Sequence, residues 1–194
     1  MLDFKQDDES QETDDDQKLF LPVRCIEQSK PWDCGPTALR IVLKYQFGLK
    51  FSASDMIFLC GATKSGSDEL NLIKALDSLG FKYTQTDHGR FNHIKRSIQM
   101  GQTPITHLVM EDGGGHYMVV QGYDEDKQEV YVADPASGKT LTYGIPYFIG
   151  IWKEEEKETQ TRWMLVITGY GGDRIGPMIN RLKRIQKKVV SARK

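Results

Sequence analysis

The sequence predicts an α+β domain in which N-terminal helices pack on a C-terminal antiparallel β-sheet. Three observations support this fold class. Apolar residues recur at helical spacing in residues 34–100, whereas residues 103–168 are rich in β-type runs. The polar turn Asp124-Glu125-Asp126-Lys127 joins two of these runs as a hairpin. The chain has 194 residues, which is enough for one domain with a sizeable core.

Four helices are predicted in the first half. The longest runs from Cys34 to Phe47, with Pro36 in its first turn and Gly48 after its last residue. Two shorter helices are predicted over Ser52–Cys60 and Phe91–Met100.

The remaining predicted helix ends at Leu79, before Gly80. Ser67 is predicted to cap its N-terminus, and acidic residues suit its first turn. Its predicted buried face consists of Leu70, Ile73, Leu76 and Leu79.

The strands are predicted from β-branched and aromatic runs bounded by turn residues. They are Phe81–Thr86, Thr103–Met110, His116–Asp124, Gln128–Ala133 and Thr161–Thr168, preceded by an extended lead-in over Leu19–Ile26. Residues 153–158 are predicted to form a solvated charged loop between two strands.

The two ends of the chain carry opposite charges. Residues 1–18 hold eight acids and two lysines and are predicted to be a disordered acidic tail. Residues 171–194 follow the predicted domain, 19–170, and are strongly basic with an apolar stripe typical of an amphipathic helix. Such a helix either docks on its own domain or a neighbouring subunit, or contacts an anionic membrane or an acidic partner. The middle of the chain shows no basic nucleic-acid-binding pattern.

Cysteine usage favours a reducing compartment. The three cysteines, Cys25, Cys34 and Cys60, are odd in number and lack a CxxC spacing, so a disulfide framework is not predicted. No targeting segment and no run long enough to cross a bilayer is visible, and we expect a cytoplasmic protein. A zinc site formed by Cys25 and Cys60 with His88 or His93 is a minor alternative, because no zinc-ligand spacing is present.

The residues around Cys34 carry the chemical signal. Cys34 begins the long predicted helix, where the helix dipole lowers a thiol pKa, and Gln28 precedes it by six positions. A glutamine amide near a nucleophile can donate a hydrogen bond to a developing oxyanion. His116 begins a predicted strand after three glycines, and Asp134 follows one strand later. These residues predict a Cys34–His116–Asp134 triad with Gln28 as oxyanion donor.

These motifs resemble a known family. Gln28…Asp33-Cys34-Gly35-Pro36, Gly115-His116-Tyr117…Gln121-Gly122-Tyr123 and Asp134-Pro135-Ala136-Ser137-Gly138 are similar, in this order, to the double-glycine leader peptidases. That family consists of papain-like domains that are usually fused to bacteriocin-exporting ABC transporters. The resemblance implies a papain-like fold, a peptide or protein substrate and cleavage after Gly-Gly. The mechanism predicted above needs no metal or organic cofactor.

Four further residues are assigned to substrate binding: Trp32, Gly35, Gly114 and Gly115. Trp32 either lines the cleft or simply packs, and the glycines let a substrate backbone approach closely. Other residues have simpler interpretations. Asp33 is a loop or capping residue, Cys25 and Cys60 belong to the core, and His88, His93 and His107 are surface or core residues.

Two other functions remain compatible with the sequence. The same triad supports acyl transfer or side-chain amide chemistry instead of peptide hydrolysis, because any acyl acceptor can replace water. A module that binds peptides without cutting them is the second alternative. The sequence does not indicate the physiological substrate or the oligomeric state.

Overall fold

The computed structural model describes residues 17–153 and 162–171 of the 194-residue chain. These ranges contain twelve elements: β1 (Lys18–Phe20), α1 (Cys34–Phe47), α2 (Ala53–Cys60), α3 (Glu69–Leu79), β2 (Phe81–Thr86), α4 (Phe91–Gln99), β3 (Ile105–Val109), β4 (Gly115–Asp124), β5 (Glu129–Asp134), β6 (Lys139–Gly144), α5 (Ile145–Ile151) and β7 (Met164–Tyr170).

These strands form one antiparallel sheet in the order β2-β7-β3-β4-β5-β6. β4 has ten residues, and its first half pairs with β3. The second half pairs on the same side with β1, where Lys18 lies opposite Asp124. β4 is therefore a central strand that is fixed along its whole length.

Helices cover both faces of the sheet. α1, α2 and α3 pack with Tyr117 and Val119 of β4 in one core cluster. α4 and α5 pack with Met118 and Val120 in the other. Because successive strand residues point to opposite faces, a strand buried on both faces is continuously apolar. The predicted α+β arrangement of helices on an antiparallel sheet is confirmed, with a second helical layer on the far face.

The packing of α1 on β4 brings the chemically important residues together. Cys34 is the first residue of α1, and His116 is the second residue of β4. α1 ends as predicted at Gly48, whose φ of 67° is the left-handed conformation that favours glycine. The start of the helix and the start of the strand therefore lie at the same end of the molecule.

Two predictions about α3 were wrong. Asp68, not Ser67, caps the helix: its Oδ1 accepts from Asn71 N at 2.7 Å, and Asn71 Oδ1 accepts from Asp68 N at 3.1 Å. This reciprocal pair satisfies more of the free helix end than one serine would. Leu70 is 56% exposed, since it lies in the first turn away from the buried stripe. That stripe consists of Leu72, Ile73, Ala75, Leu76 and Leu79.

Sequence patterns assigned no element to residues 139–151, where β6 and α5 form. β6 lies at the edge of the sheet and has no buried residue, so it lacks the usual apolar signal. α5 has seven residues and no side-chain cap, but it places Phe148 and Trp152 in the core at full burial.

Several predictions fall outside the described residues. They are the acidic tail up to residue 16, most of the charged loop at 153–158, and the basic C-terminal helix beyond residue 171. Within residues 17–153 and 162–171, every helix is too short or too polar to span a bilayer.

Candidate active site

A short loop before α1 is organised by a buried carboxylate. Asp33 is fully buried and stands at the N-cap position of α1, but its side chain does not cap the helix. Its Oδ2 accepts from Ser29 Oγ at 2.7 Å and Ser29 N at 3.3 Å, and its Oδ1 accepts from Lys30 N at 3.2 Å. Asp33 therefore holds the loop that carries Gln28 against the start of the helix.

The Cys34 sulfur lies among hydrogen-bond donors. Burial by itself raises the pKa of the thiol, because it disfavours the charged form. Hydrogen bonds from the His116 side chain and the Tyr117 N–H, together with the charge of His116 and the Gly35 N–H, outweigh burial and lower the pKa below its ordinary value. The Tyr117 N–H contact has no signature in the sequence, because the donor is a backbone group that nearly every residue type carries.

His116 and Asp134 form a short contact. His116 Nε2 lies 2.6 Å from Asp134 Oδ1, and both side chains are largely buried. Burial disfavours the imidazolium, but hydrogen bonds to Asp134 and Cys34 raise the pKa of His116 to about 9. Because Asp134 occupies Nε2, Nδ1 is the ring nitrogen left for the sulfur.

Asp134 is held by the turn that follows β5. Besides His116, its carboxylate accepts from Ala136 N at 2.9 Å, Ser137 N at 3.0 Å and Ser137 Oγ at 2.6 Å. Burial opposes the charge, but the bond from His116 and these three donors lower the pKa of Asp134 to about 2. Asp134 is therefore a fixed anion that both orients and charges the imidazole.

Gln28 lies beside this turn. Its backbone N donates to Pro135 O at 2.7 Å, which fixes its position relative to Asp134. Its side-chain Nε2 donates to Lys30 O at 2.9 Å, and its buried Oε1 has no hydrogen-bond partner among the described residues. The residue lines an open cavity of about 450 Å³ together with His116 and Asp134. One amide hydrogen of Gln28 is used within the loop, which leaves the other for a ligand in this cavity.

A second cavity, of about 480 Å³, is lined by Trp32, Cys34 and His116 among others. Gly115 lines both cavities, and Gly114 lines the first. Gly35 lines neither. A Cβ there would lie 2.7 Å from Ser67 Oγ and 3.2 Å from Tyr117, so this glycine lets α1 pack closely.

A second histidine–carboxylate pair was missed by the sequence analysis. His107 Nδ1 lies 2.6 Å from Glu69 Oε1, and the His107 ring stacks on Tyr117 at 4.4 Å. The residues are 38 positions apart and belong to β3 and α3. No local pattern joins them, so only the fold could reveal the pair. His107 also explains Gly115, because a Cβ at that position would lie 2.5 Å from its Nε2.

The other cysteines lack such surroundings. Burial raises the pKa of Cys60 to about 12, and Cys25 Sγ lies 3.6 Å from Thr140 Oγ1. His93 Nδ1 accepts from Arg90 N at the start of α4. Within the part of the chain that the structure describes, no group of three His, Cys, Asp or Glu side chains could hold a metal ion.

Comparison with known proteins identifies the family to which the chain is similar. The family model described as "Peptidase C39 family" matches residues 23–155. A lactococcin transport/processing ATP-binding protein, LcnC-like, from Lactococcus lactis is 32% identical over 60% of this chain. The transport/processing ATP-binding protein ComA of Streptococcus pneumoniae is 28% identical over 57% of it. The matches span only 16% and 15% of those two proteins. An uncharacterised protein of Methanothermobacter marburgensis is 32% identical over 64% of this chain and 80% of its own length.

Solved structures show the same fold. The peptidase domain of Streptococcus ComA superposes with a TM-score of 0.57 at 20% identity, covering 75% of this chain and 98% of the domain. A double glycine motif protease from an AMS/PCAT transporter, in complex with the leader peptide, gives 0.55 at 20% identity over 77% and 94% of the two chains. A C39-like peptidase from Bacillus anthracis gives 0.57 at 15% identity over 79% and 99%.

Proposed function

Because the chain belongs to the Peptidase C39 family of cysteine peptidases, we propose that it hydrolyses peptide bonds with Cys34 as the nucleophile. The observation that carries this proposal is the short contact between His116 and Asp134, with His116 and Cys34 lining the same cavity. The pKa of His116 is raised and that of Cys34 is lowered, so both shifts act in the direction of a thiolate–imidazolium pair.

The first chemical step is attack by the Cys34 thiolate on the substrate carbonyl carbon. The carbonyl oxygen becomes an oxyanion, for which two donors are proposed. One is the second amide hydrogen of Gln28. The other is the Cys34 N–H, which lies in the first turn of α1, where backbone N–H groups have no partner within the helix.

The imidazolium of His116 then acts as the acid. It gives its proton to the leaving amine, and the C–N bond breaks to leave a thioester on Cys34. The neutral imidazole next takes a proton from water, whose oxygen attacks the thioester and releases the acid product and the thiolate. Asp134 keeps the ring oriented through Nε2 in both steps.

We further propose that the substrate is a peptide cleaved after small residues such as Gly-Gly. Support comes from a structural neighbour that is described as a double glycine motif protease and was solved with its leader peptide.

A cytoplasmic location is part of the proposal, because a reducing compartment keeps the nucleophile as a free thiol. Contact of the basic C-terminal segment with an anionic membrane or a protein partner also remains a proposal.

The test is cleavage of synthetic peptides that contain Gly-Gly, with Ala-Ala and Val-Val versions as comparisons, followed by mass spectrometry. Cys34→Ala should abolish cleavage without changing the thermal unfolding midpoint by more than a few degrees, since Cys34 is only partly buried. The matched control is Cys25→Ala, which removes a partly buried thiol outside the triad and should retain activity. Normal cleavage by Cys34→Ala would exclude this residue as the nucleophile.

A further inference from the structure

The Glu69–His107 pair lies in the wall of the second cavity, beside the nucleophile. Both side chains are partly accessible, at 25% for Glu69 and 22% for His107. Cys34 and His116 line the same cavity. A molecule that reacts with the sulfur from this side therefore passes a carboxylate that the proposed mechanism does not use.

Two adjacent acids lie in this wall. Asp68 and Glu69 contribute carboxylates, and Lys64 is the cationic side chain besides the histidines in the lining. The hydrogen bond and charge of His107 outweigh burial and lower the pKa of Glu69, so the carboxylate is ionised at neutral pH. On the other side of the site, the lining acids are Asp112 and the triad residue Asp134.

Tyr117 adds an independent observation. It is 2% exposed and lines the second cavity, and its hydroxyl lies close enough to Glu69 for a hydrogen bond between the two side chains to lower the pKa of that carboxyl. Burial and the nearby charge of Glu69 raise the pKa of Tyr117, so it remains a neutral phenol. A phenol that donates its O–H to a carboxylate still has an oxygen lone pair that can accept from a donor such as an ammonium.

We propose that this second cavity is a subsite for a basic side chain of the substrate, with Glu69 as the specificity-determining carboxylate and His107 as its positioning residue. The inference rests on the proposed peptidase function only for the identity of the ligand as a peptide. His107 holds Glu69 Oε1 and is itself held by stacking on Tyr117, so the carboxylate has one fixed position. A lysine or arginine near the scissile bond would pair with it.

Charge-matched thiol reagents test the subsite without any need for peptide cleavage. Two methanethiosulfonates of similar size carry either a trimethylammonioethyl or a sulfonatoethyl group. A thiolate attacks the sulfur that bears this group, which forms a mixed disulfide and releases methanesulfinate. Modification of Cys34 is followed by mass spectrometry. The rate with the cationic reagent is divided by the rate with the anionic reagent, and this rate ratio is divided by the same ratio for N-acetylcysteine. We expect the cationic reagent to be favoured.

Glu69→Gln keeps the shape of the side chain and an oxygen that accepts from His107. It should lower the rate ratio by about three- to fivefold, the effect of one partly shielded charge pair. Asp126→Asn is the matched control, because Asp126 is an exposed acid in the turn at the opposite end of β4. If Glu69→Gln leaves the ratio unchanged, the inference is wrong.

A second variant covers the case in which Glu69→Gln does not fold. His107→Gln retains the Glu69 charge but removes the imidazole that positions it, so the preference for the cationic reagent should be smaller than in wild type. A rate ratio in His107→Gln equal to the wild-type ratio would contradict the proposal.

Peptides that carry lysine, norleucine or glutamate at each position around the cleaved bond provide the second measurement. Wild type should prefer lysine at one position, and Glu69→Gln should lose that preference through KM more than through kcat. If no peptide is cleaved but the reagent ratio depends on Glu69, the proposed function fails and the subsite remains. If cleavage occurs with no preference that Glu69 controls, the subsite fails and the peptidase function remains.

Discussion

At the scale of single residues, competing effects on ionisation decide how the site works. Burial alone would keep Cys34 as a neutral thiol and His116 as a neutral ring. Hydrogen bonds and opposite charges outweigh burial at both residues, so the pKa of Cys34 is lowered and the pKa of His116 is raised. Asp134 contributes most to this reversal at His116, and its own charge is secured by the turn that follows it. The ionised forms of Cys34 and His116 therefore depend on each other, on the Asp134 side chain and on the Tyr117 N–H.

The rate of alkylation by iodoacetamide against pH tests this dependence. In wild type, Cys34 should react well below pH 8.5, which is roughly the pKa of a free thiol. His116→Ala removes the main charge partner and should move the curve up toward that value, with loss of turnover. Asp134→Asn should lower kcat while an alkylatable thiolate persists, because the amide still holds the ring but stabilises its cation poorly.

Cys34→Ala measures the background from Cys25 and Cys60. An alkylation curve of His116→Ala that overlays the wild-type curve would show that another group charges the sulfur.

The residues that the sequence predicted and those that it missed differ in how they are encoded. Gln28 and Cys34 are six positions apart, and His116 and Asp134 are joined by a hairpin, so short motifs include them. Glu69 and His107 meet only because α3 and β3 are neighbours in the fold. A single sequence carries no signal for such a contact.

At the scale of elements, the loop before α1 is organised by a buried carboxylate that does not cap the helix. Asp33 leaves the first turn of α1 uncapped by its side chain and binds the Ser29 and Lys30 donors instead. The Thr37 N–H donates to the Asp33 backbone oxygen instead, and Gln28 lies in the cavity wall. The Asp33 side chain therefore fixes the loop that carries Gln28 instead of capping α1.

Asp33→Ala should disturb this loop and the oxyanion donor together. Removing the carboxylate leaves buried donors without partners, and we expect a loss of about 1–3 kcal/mol in the free energy of unfolding. Because Gln28 is then held less firmly, kcat should fall more than KM rises. Urea unfolding and steady-state kinetics measure the two effects.

Ser29→Ala is the milder comparison, since it removes the Oγ contact alone and should fall between wild type and Asp33→Ala in both assays. A fully active Asp33→Ala protein would show that the loop does not position Gln28.

Helix ends were predicted better than helix starts. Gly48, Gly61 and Gly80 each follow a helix in the left-handed conformation, and this requirement is visible in the sequence. The start of α3 was misplaced by one residue because Ser67 and Asp68 are both good capping residues. Only the reciprocal bond with Asn71 distinguishes them.

At the scale of the whole molecule, the site lies at one end of a sheet that is covered on both faces. The apolar runs in the sequence predicted the sheet, but they did not show that α4 and α5 lie on the opposite face from α1. That arrangement depends on distant contacts such as Trp152 Nε1 donating to Trp163 O at 2.8 Å. The site residues are thus fixed by a core that extends well beyond them.

Stability should depend on pH through the His116–Asp134 contact. The folded pKa of Asp134, about 2, lies below the unfolded value of about 3.9, so its contribution is present above pH 4 and is lost as pH falls toward 2. The folded pKa of His116, about 9, lies above the unfolded value of about 6.5, so its contribution is present below pH 6.5 and is lost as pH rises through 9.

The measurement is the difference in unfolding free energy between wild type and Asp134→Asn. It should be largest, on the order of 1–3 kcal/mol, between about pH 4 and pH 6.5, and smaller on both sides. Other acids with lowered pKa values, such as Glu69 and Asp124, are common to both proteins and cancel in this difference. Asp126→Asn is the control for removing an exposed acid outside the site. If the difference for Asp134→Asn does not change with pH, protonation of His116 and Asp134 does not affect the free energy of unfolding.

The placement of Glu69 has a consequence for how the protein could be altered. Glu69 opens α3, whereas the triad and its proposed oxyanion donor come from α1, β4, the end of β5 and the loop before α1. A change of charge at position 69 therefore alters none of the elements that carry the proposed triad and oxyanion donor. A library restricted to positions 64 and 69 would give variants that differ in the peptides they select but share one reactive thiol. Substrate choice in this scaffold is in that sense a separable, evolvable trait.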